Sequence, residues 1–167
     1  TVAPCQIDLA EVNGRPFHTL SGLGFFSQMA RAREETRGHP LGRFVGLVLA
    51  RFRALRRTAP FTIDIVLAGR RERVSALAVL VTNNRYGSDW RRARLDEGIL
   101  EMHVVEEQGT LTKLKASAAL LTGAWREQEI RSIVATELTI ANRRRHVWAS
   151  TDGELGRERV PLRYRIL

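Results

Sequence analysis

An antiparallel β-sandwich with inserted α-helices, mainly β, is the fold class this sequence predicts, as one domain over residues 1–167. Three observations predict it. Short runs of alternating apolar and polar residues recur, most cleanly at Phe61, Ile63, Ile65 and Leu67. Turn signals such as Asn13-Gly14, Gly69 and Asp152-Gly153 join such runs directly, so hairpins outnumber crossovers. Helical periodicity comes in a pair of segments and a later single one, rather than alternating strictly with strands.

The elements follow in order. Residues 4–13 carry Cys5, Ile7, Leu9 and Val12 and read as a strand, with Asn13-Gly14 turning into a return strand at 17–20. Gly22 and Gly24, inside the strand-like run 21–26, imply a bulge or the close approach of another backbone or a ligand. From Ser27 the period becomes helical, with Phe26, Met29, Ala30 and Arg33 on one face and Gly38-His39-Pro40 as the stop. A second helix over 41–57 has Leu41, Phe44, Val45, Val48, Leu49, Phe52 and Leu55 at three- and four-residue spacing. Strands follow at 61–67 and 73–82, the second mostly apolar and therefore central. A loop runs from 83 to 98, then a strand over 99–105, a helix over 111–122 and one long strand over 130–141. Asn142-Arg143-Arg144-Arg145 turns into a strand at 146–150, which leads to Asp152-Gly153-Glu154. The last strand is 160–167. The expectation is about eight strands and three helices.

The net charge is +9, from 27 Lys and Arg against 18 Asp and Glu, and all but two of the cations are arginine. Such a balance points to an anionic partner, unless the arginines are simply spread over solvated faces. A nucleic acid is the least supported partner, because Phe25, Phe44, Phe61 and Trp148 sit mostly in apolar patterns rather than on a basic stacking face. No apolar run reads as a membrane span, and the first residues show no signal-peptide pattern. The chain begins at Thr1 rather than Met and reads as a piece of a longer protein. The single Cys5 offers no internal disulfide and fits a reducing cytoplasm. His18, His39, His103 and His146 have no metal-ligand spacing, so no metal site is expected in this chain alone. Gly-x-Ser-x-Gly and phosphate-loop patterns are also missing, and spacing alone exposes no self-contained active site.

Four stretches taken together resemble the C-terminal domain of the diacylglycerol kinase, sphingosine kinase and bacterial lipid kinase superfamily. They are Val12-Asn13-Gly14-Arg15-Pro16-Phe17 with Ser21-Gly22-Leu23-Gly24-Phe25, Val81-Thr82-Asn83-Asn84-Arg85-Tyr86, Leu95-Asp96-Glu97-Gly98-Ile99-Leu100-Glu101-Met102, and Asp152-Gly153-Glu154. Two positions depart from the family pattern: Glu97 stands where Asp is usual, and His18-Thr19 where Asn is frequent. The family's Gly-Gly-Asp-Gly-Thr nucleotide loop belongs to an N-terminal domain that this sequence does not include, and the family usually continues beyond the point where the chain stops.

The resemblance implies the lipid-binding half of an ATP-dependent kinase acting on a lipid hydroxyl, diacylglycerol-like or sphingoid, and inactive when taken alone. ATP and Mg²⁺ would be held mainly by the N-terminal kinase domain. By position, Asp152 becomes a candidate general base or part of an acidic magnesium network, with Glu154 supporting it. Asp96 and Glu97 are further acidic candidates. Phe25, Phe26, Met29, Phe44, Val48 and Phe52 would line a lipid pocket beneath a helical lid. Partners would be the lipid substrate, an anionic membrane surface, the chain's own N-terminal domain and, at most, a second copy in a homodimer; the place would be the cytoplasm, peripheral at the inner membrane. The alternative is a non-catalytic β-sandwich module that meets an anionic lipid or another anionic surface through its arginines.

Overall fold

The computed structural model describes residues 6–35, 46, 49–50, 53–54, 56–87, 91–107 and 131–167. The described strands are β1 (Ala10–Val12), β2 (Arg15–Phe17), β3 (Leu20–Gly24), β4 (Phe61–Leu67), β5 (Arg70–Asn83), β6 (Leu100–Glu106), β7 (Arg131–Ala135), β8 (Glu137–Ala141), β9 (His146–Thr151), β10 (Glu154–Arg159) and β11 (Leu162–Ile166). Helix α1 spans Phe25–Glu35. All strand pairs are antiparallel.

The described strands form one curled 11-stranded sheet, and the long strand β5 is shared by both of its layers. Its C-terminal half lies between β3 and β6, and its N-terminal half pairs with β4. One face of the fold therefore runs β10-β9-β3-β5-β6-β7 and the other β5-β4-β8-β11-β1-β2. A β-bulge between Ala76 and Ala78 marks the changeover. Without it, strict alternation from Val74 and Ala76 would turn Val79 and Val81 away from the core. With it, all four side chains enter the inter-sheet core, while Leu77, Ala78 and Leu80 face the helical side.

The inter-sheet core is filled by Phe17, Leu23, Ile63, Val79, Met102, Ile140, Leu162, Tyr164 and their neighbours. Phe17 and Tyr164 meet edge to face, with ring centroids 6.2 Å apart. The buried Tyr164 hydroxyl has a partner in Ser21 Oγ at 3.1 Å, which in turn lies 3.2 Å from Thr151 Oγ1. Burial raises the Tyr164 phenol far above its ordinary range, so it stays protonated.

Helix α1 packs across β3, β5, β9 and β10 on the outer face, over a second cluster of Phe25, Ala54, Leu77, Leu80 and Val105. Gly22 makes room for this contact, and Gly24 makes room for the neighbouring strands. A Cβ on Gly22 would stand 2.5 Å from Phe26 Cβ, and one on Gly24 would stand 2.4 Å from the Leu77 carbonyl oxygen and 2.5 Å from the Phe61 ring. Gly24 also has a φ of +64°. The close approach expected of these glycines is thus made by the chain itself, at Gly22 by α1 and at Gly24 by β5 and the Phe61 ring of β4.

Several boundaries differ from the sequence reading. The first strand is confined to Ala10–Val12, and residues 6–9 are irregular. The return strand splits into β2 and β3 around a bend at His18-Thr19, and α1 begins at Phe25 rather than Ser27. The single long strand over 130–141 breaks at Thr136: β7 pairs with β6 on one face, and β8 pairs with β4 and β11 on the other. The Thr136 carbonyl accepts from Ile166 N at the break, 3.0 Å away. Strand β10 escaped the sequence reading because Gly156 and the charges around it obscure the alternation of an edge strand. Trp148, read as part of an apolar pattern, is exposed on the outer face beside Arg31, whose guanidinium carbon is 5.9 Å from the ring centroid. Of the helix read over 41–57, the described positions 46, 49, 50, 53, 54, 56 and 57 are helical. Phe44, Val48 and Phe52, and the helix read over 111–122, lie outside the described residues. Among the described residues, no helix is long and apolar enough to cross a membrane.

Candidate functional site around the Asp152 turn

The β9–β10 hairpin closes with two left-handed residues, Asp152 at φ +49° and Gly153 at φ +86°. That is the type I′ geometry whose twist matches the flanking strands, and Asp-Gly is among the pairs that accept it. Asn13-Gly14 closes β1–β2 in the same way, with φ of +51° and +82°. The two turns are linked through Arg15 on β2, whose Nη2 lies 2.6 Å from Glu154 Oε2. Asn13 Nδ2 also donates to the Arg159 carbonyl at 2.8 Å.

The Asp152 carboxylate faces the bend between β2 and β3. Its Oδ1 accepts from Thr19 N at 2.8 Å, Thr19 Oγ1 at 2.5 Å and Leu20 N at 3.2 Å, and its Oδ2 accepts from His18 N at 2.7 Å. Its own backbone N donates to the Leu20 carbonyl at 2.8 Å. Burial alone would raise this carboxyl. The Thr19 hydroxyl and the three N–H groups outweigh that effect and hold it below the ordinary carboxylate range. Asp152 is therefore ionised at neutral pH, and it clasps the His18-Thr19-Leu20 backbone to the hairpin tip.

The same bend is gripped from the other side. Asn83 N donates to the Thr19 carbonyl at 2.9 Å, Asn83 Nδ2 to the Asp8 and His18 carbonyls at 2.8 and 3.3 Å, and Arg92 Nη1 to the His18 carbonyl at 2.7 Å. Asp8 in turn accepts from Gly98 N at 2.6 Å through Oδ2. Asn83 Oδ1 and both amide atoms of Asn84 are buried without a hydrogen-bond partner. Such orphans are uncommon in native folds, and here they stand beside the bend.

Tyr86 and Arg92 complete the surroundings. The Arg92 guanidinium carbon is 5.5 Å from the Tyr86 ring centroid. Burial raises the Tyr86 phenol, Arg92 opposes this, and the Asp152 charge adds to it, so Tyr86 lies within electrostatic reach of both. Sequence reasoning left both residues in a loop. The available signal was the Asn83-Asn84-Arg85-Tyr86 segment itself, whose end β5 delivers to the bend.

The other acidic candidates are arranged differently. Glu154 is exposed and paired with Arg15. Asp96 is hydrogen-bonded to Arg94 Nε at 3.1 Å, which lowers its carboxyl. Glu97 accepts from Arg85 N at 2.9 Å, with Arg85 Nη1 3.7 Å away. Glu97 thus ties Arg85 to the stretch that leads into β6. Phe25 is fully buried against Phe26, ring centroids 5.9 Å apart, and Phe26 and Met29 pack partly buried beside it. These three form the seat of α1, at the opposite end of β3 from the Asp152 turn.

Fold and site define a class: a curled antiparallel β-sandwich, helix-covered on one face, with an acidic hairpin turn locked to the adjoining strand bend. The family profile described as the YegS C-terminal NAD kinase β-sandwich-like domain matches residues 28–167, and the chain belongs to that family. Three solved structures from Bacillus anthracis strain Sterne, two described as a putative diacylglycerol kinase and one as a diacylglycerol kinase, are similar in fold. One has a TM-score of 0.68 at 21% identity, covering 96% of this chain and 53% of its own. Another has a TM-score of 0.64 at 19% identity, with 96% and 54% covered. The third has a TM-score of 0.57 at 16% identity, with 96% and 50% covered. The chain thus spans about half the length of these structures. No curated protein matches the sequence significantly.

Proposed function

We propose that this domain is the acceptor-side half of an ATP-dependent lipid kinase, presenting the hydroxyl of a diacylglycerol-like or sphingoid lipid to a nucleotide held by an N-terminal domain. The observation that carries this reading is the Asp152 carboxylate, ionised at the tip of a hairpin and fixed to the His18–Leu20 bend, with Tyr86 and Arg92 beside it. Family membership supports the class of protein, and the resemblance of four sequence stretches supports the substrate class.

Phosphoryl transfer to an alcohol forms one O–P bond, breaks the bond from the γ-phosphorus to the leaving nucleotide, and releases the alcohol proton. The transition state is loose, so orientation of the hydroxyl contributes more than base strength. A carboxylate held below its ordinary range is a weak base but a good acceptor for such an O–H. The Thr19 hydroxyl donates to Asp152 Oδ1 at 2.5 Å, and the lipid hydroxyl would take over that position when bound. Arg92 and Tyr86 would face the polar head, and Glu154 would act by holding Arg15. When bound, ATP and Mg²⁺ would supply the phosphoryl group and the neutralising charge. The donor set here does not fit a magnesium centre of its own: Asp152 is committed to four donors, Glu154 to Arg15, and the described residues contain no cluster of three metal-ligating side chains. No step above runs through a metal on this chain. The arginine excess suits a peripheral place at an anionic membrane.

The test is a phosphoryl-transfer assay on the full-length protein with ATP and a panel of hydroxylated lipids. A lipid-dependent phosphorylated product, lost in Asp152→Asn and reduced in Tyr86→Phe, is expected. Transfer that is unaffected by both substitutions would remove this site from the reaction.

A further inference from the structure

A second site lies at the other end of the sandwich. There the start of β4, the end of β8, the start of β9 and the first turn of α1 surround a pocket of about 330 Å³, which falls in the size range of small-ligand sites. Its floor is the core itself: Ile63, Ile140 and Leu162, each at most 2% exposed, line it together with Leu23. Its rim carries the guanidinium groups of Arg57 and Arg144, the His146 imidazole and the Trp148 ring.

The rim is unevenly satisfied. Arg57 Nη1 donates to both oxygens of Glu35 at 2.9 Å. Among the described residues, the Arg144 guanidinium and the His146 ring make no hydrogen bond or ion pair; only the Arg144 backbone N is engaged, with Asn142 Oδ1 at 2.8 Å. Arg143 and Arg145 flank them, exposed, and residues 142–148 contain no acid. Trp148 is 47% exposed at the mouth, an amphipathic ring of the kind found where apolar and wet surfaces meet. β9 runs from His146 to the residue before Asp152, which places the two sites roughly 20 Å apart at a strand's rise per residue.

We infer that this pocket binds a single-chain amphiphile with a phosphomonoester head, the alkyl chain against Ile63, Ile140 and Leu162 and the phosphate between Arg144 and His146. An apolar slot open to a hydrophobic core accepts a chain, and a guanidinium and an imidazole without partners among the described residues accept a compact dianion at its lip; neither feature alone selects this ligand. The site does not rest on the kinase reading, since binding here needs neither nucleotide nor Asp152. If that reading holds, the ligand is of the same chemical class as the reaction product, and the pocket is where product level acts on the domain.

Calorimetric titration of the full-length protein, without nucleotide and below the micelle threshold, tests it with four probes: oleoyl lysophosphatidate, oleoyl lysophosphatidylcholine, oleyl alcohol and inorganic phosphate. Saturable binding of lysophosphatidate is expected, with the other three weaker. Arg144→Glu, on an exposed turn, should weaken it by about tenfold or more, as should the milder Arg144→Gln to a smaller degree. Gln28→Trp, which fills the pocket from α1, should weaken the alkyl probes and leave inorganic phosphate unchanged. Asp152→Asn should bind lysophosphatidate like the wild type, which separates failure here from failure of the kinase reading. Equal affinity for lysophosphatidylcholine or for inorganic phosphate, or unchanged binding in folded Arg144→Glu, would overturn the proposal.

Discussion

Replacing Asp152 by Asn tests whether the hairpin tip is a clasp as well as a charge. The carboxylate accepts four hydrogen bonds, three at Oδ1 and one at Oδ2. An Asn amide has one acceptor end. Its better flip keeps the oxygen toward Thr19 and Leu20 and turns an NH₂ toward the His18 N–H, now 2.7 Å from Oδ2. Two donors cannot share that contact, so one charge-assisted bond is lost and the bend must shift. The geometry thus assigns the substitution a structural cost. For a solvent-exposed group that cost falls at the low end of the charged range, about 1–2 kcal/mol, or about 2–8 °C in melting temperature for a domain of this size. Amide exchange at His18 and Thr19 should quicken in parallel. If Asp152 also orients the substrate hydroxyl, turnover should fall by about 10²–10⁴-fold, more than the melting shift explains. An unchanged melting temperature and unchanged His18 exchange would refute the clasp.

Other outcomes follow from single contacts. Asp64 is held by Arg73 and Arg71, at 2.8 and 2.6 Å, and these hydrogen bonds lower its carboxyl to about 2. Because the folded value is depressed, its contribution is present above about pH 4, the unfolded value, and is lost as pH falls through the folded one. Acid melts of Asp64→Asn should therefore converge with wild type toward pH 2 and fall below it at pH 5; parallel curves would contradict this. Gly24→Ala should destabilise by roughly 2–5 kcal/mol, from positive φ and overpacking against the Leu77 carbonyl and Phe61 ring together, read by denaturant unfolding; a loss under about 1 kcal/mol would mean β4 and β5 crowd Gly24 less tightly than described. Thr19→Val should remove one bond to Asp152 yet lower turnover far less than Asp152→Asn, because the bound lipid hydroxyl replaces that donor in the proposed complex; an equal loss in both would count against that exchange.

The strand regions were legible where alternation and turn chemistry agreed. Phe61 to Leu67 and the three positive-φ turns at Asn13-Gly14, Ala68-Gly69 and Asp152-Gly153 carry their geometry locally. What failed was non-local. Nothing in the run from Ile130 to Ala141 says that its halves lie on opposite layers of the curled sheet, because the break at Thr136 is fixed by Ile166 from the far end of the chain. The bulge in β5 is likewise set by β6 pairing. At the site, the Asp-Gly-Glu turn could be found by residue type. The partners of Asp152 could not, since His18 and Thr19 lie more than 130 positions away in sequence. The basic pocket was equally hidden: Arg143-Arg144-Arg145 read as a turn, and only the packing of α1 and β4 sets it beside an opening in the core.

The most direct measurement of the central claim is lipid-dependent phosphoryl transfer from labelled ATP by the full-length protein, wild type against Asp152→Asn and Arg144→Glu. A labelled lipid is expected with the wild type, about 10²–10⁴-fold less with Asp152→Asn, and retained chemistry with Arg144→Glu. Absence of label on every hydroxylated lipid, from a folded protein that binds ATP, would contradict it.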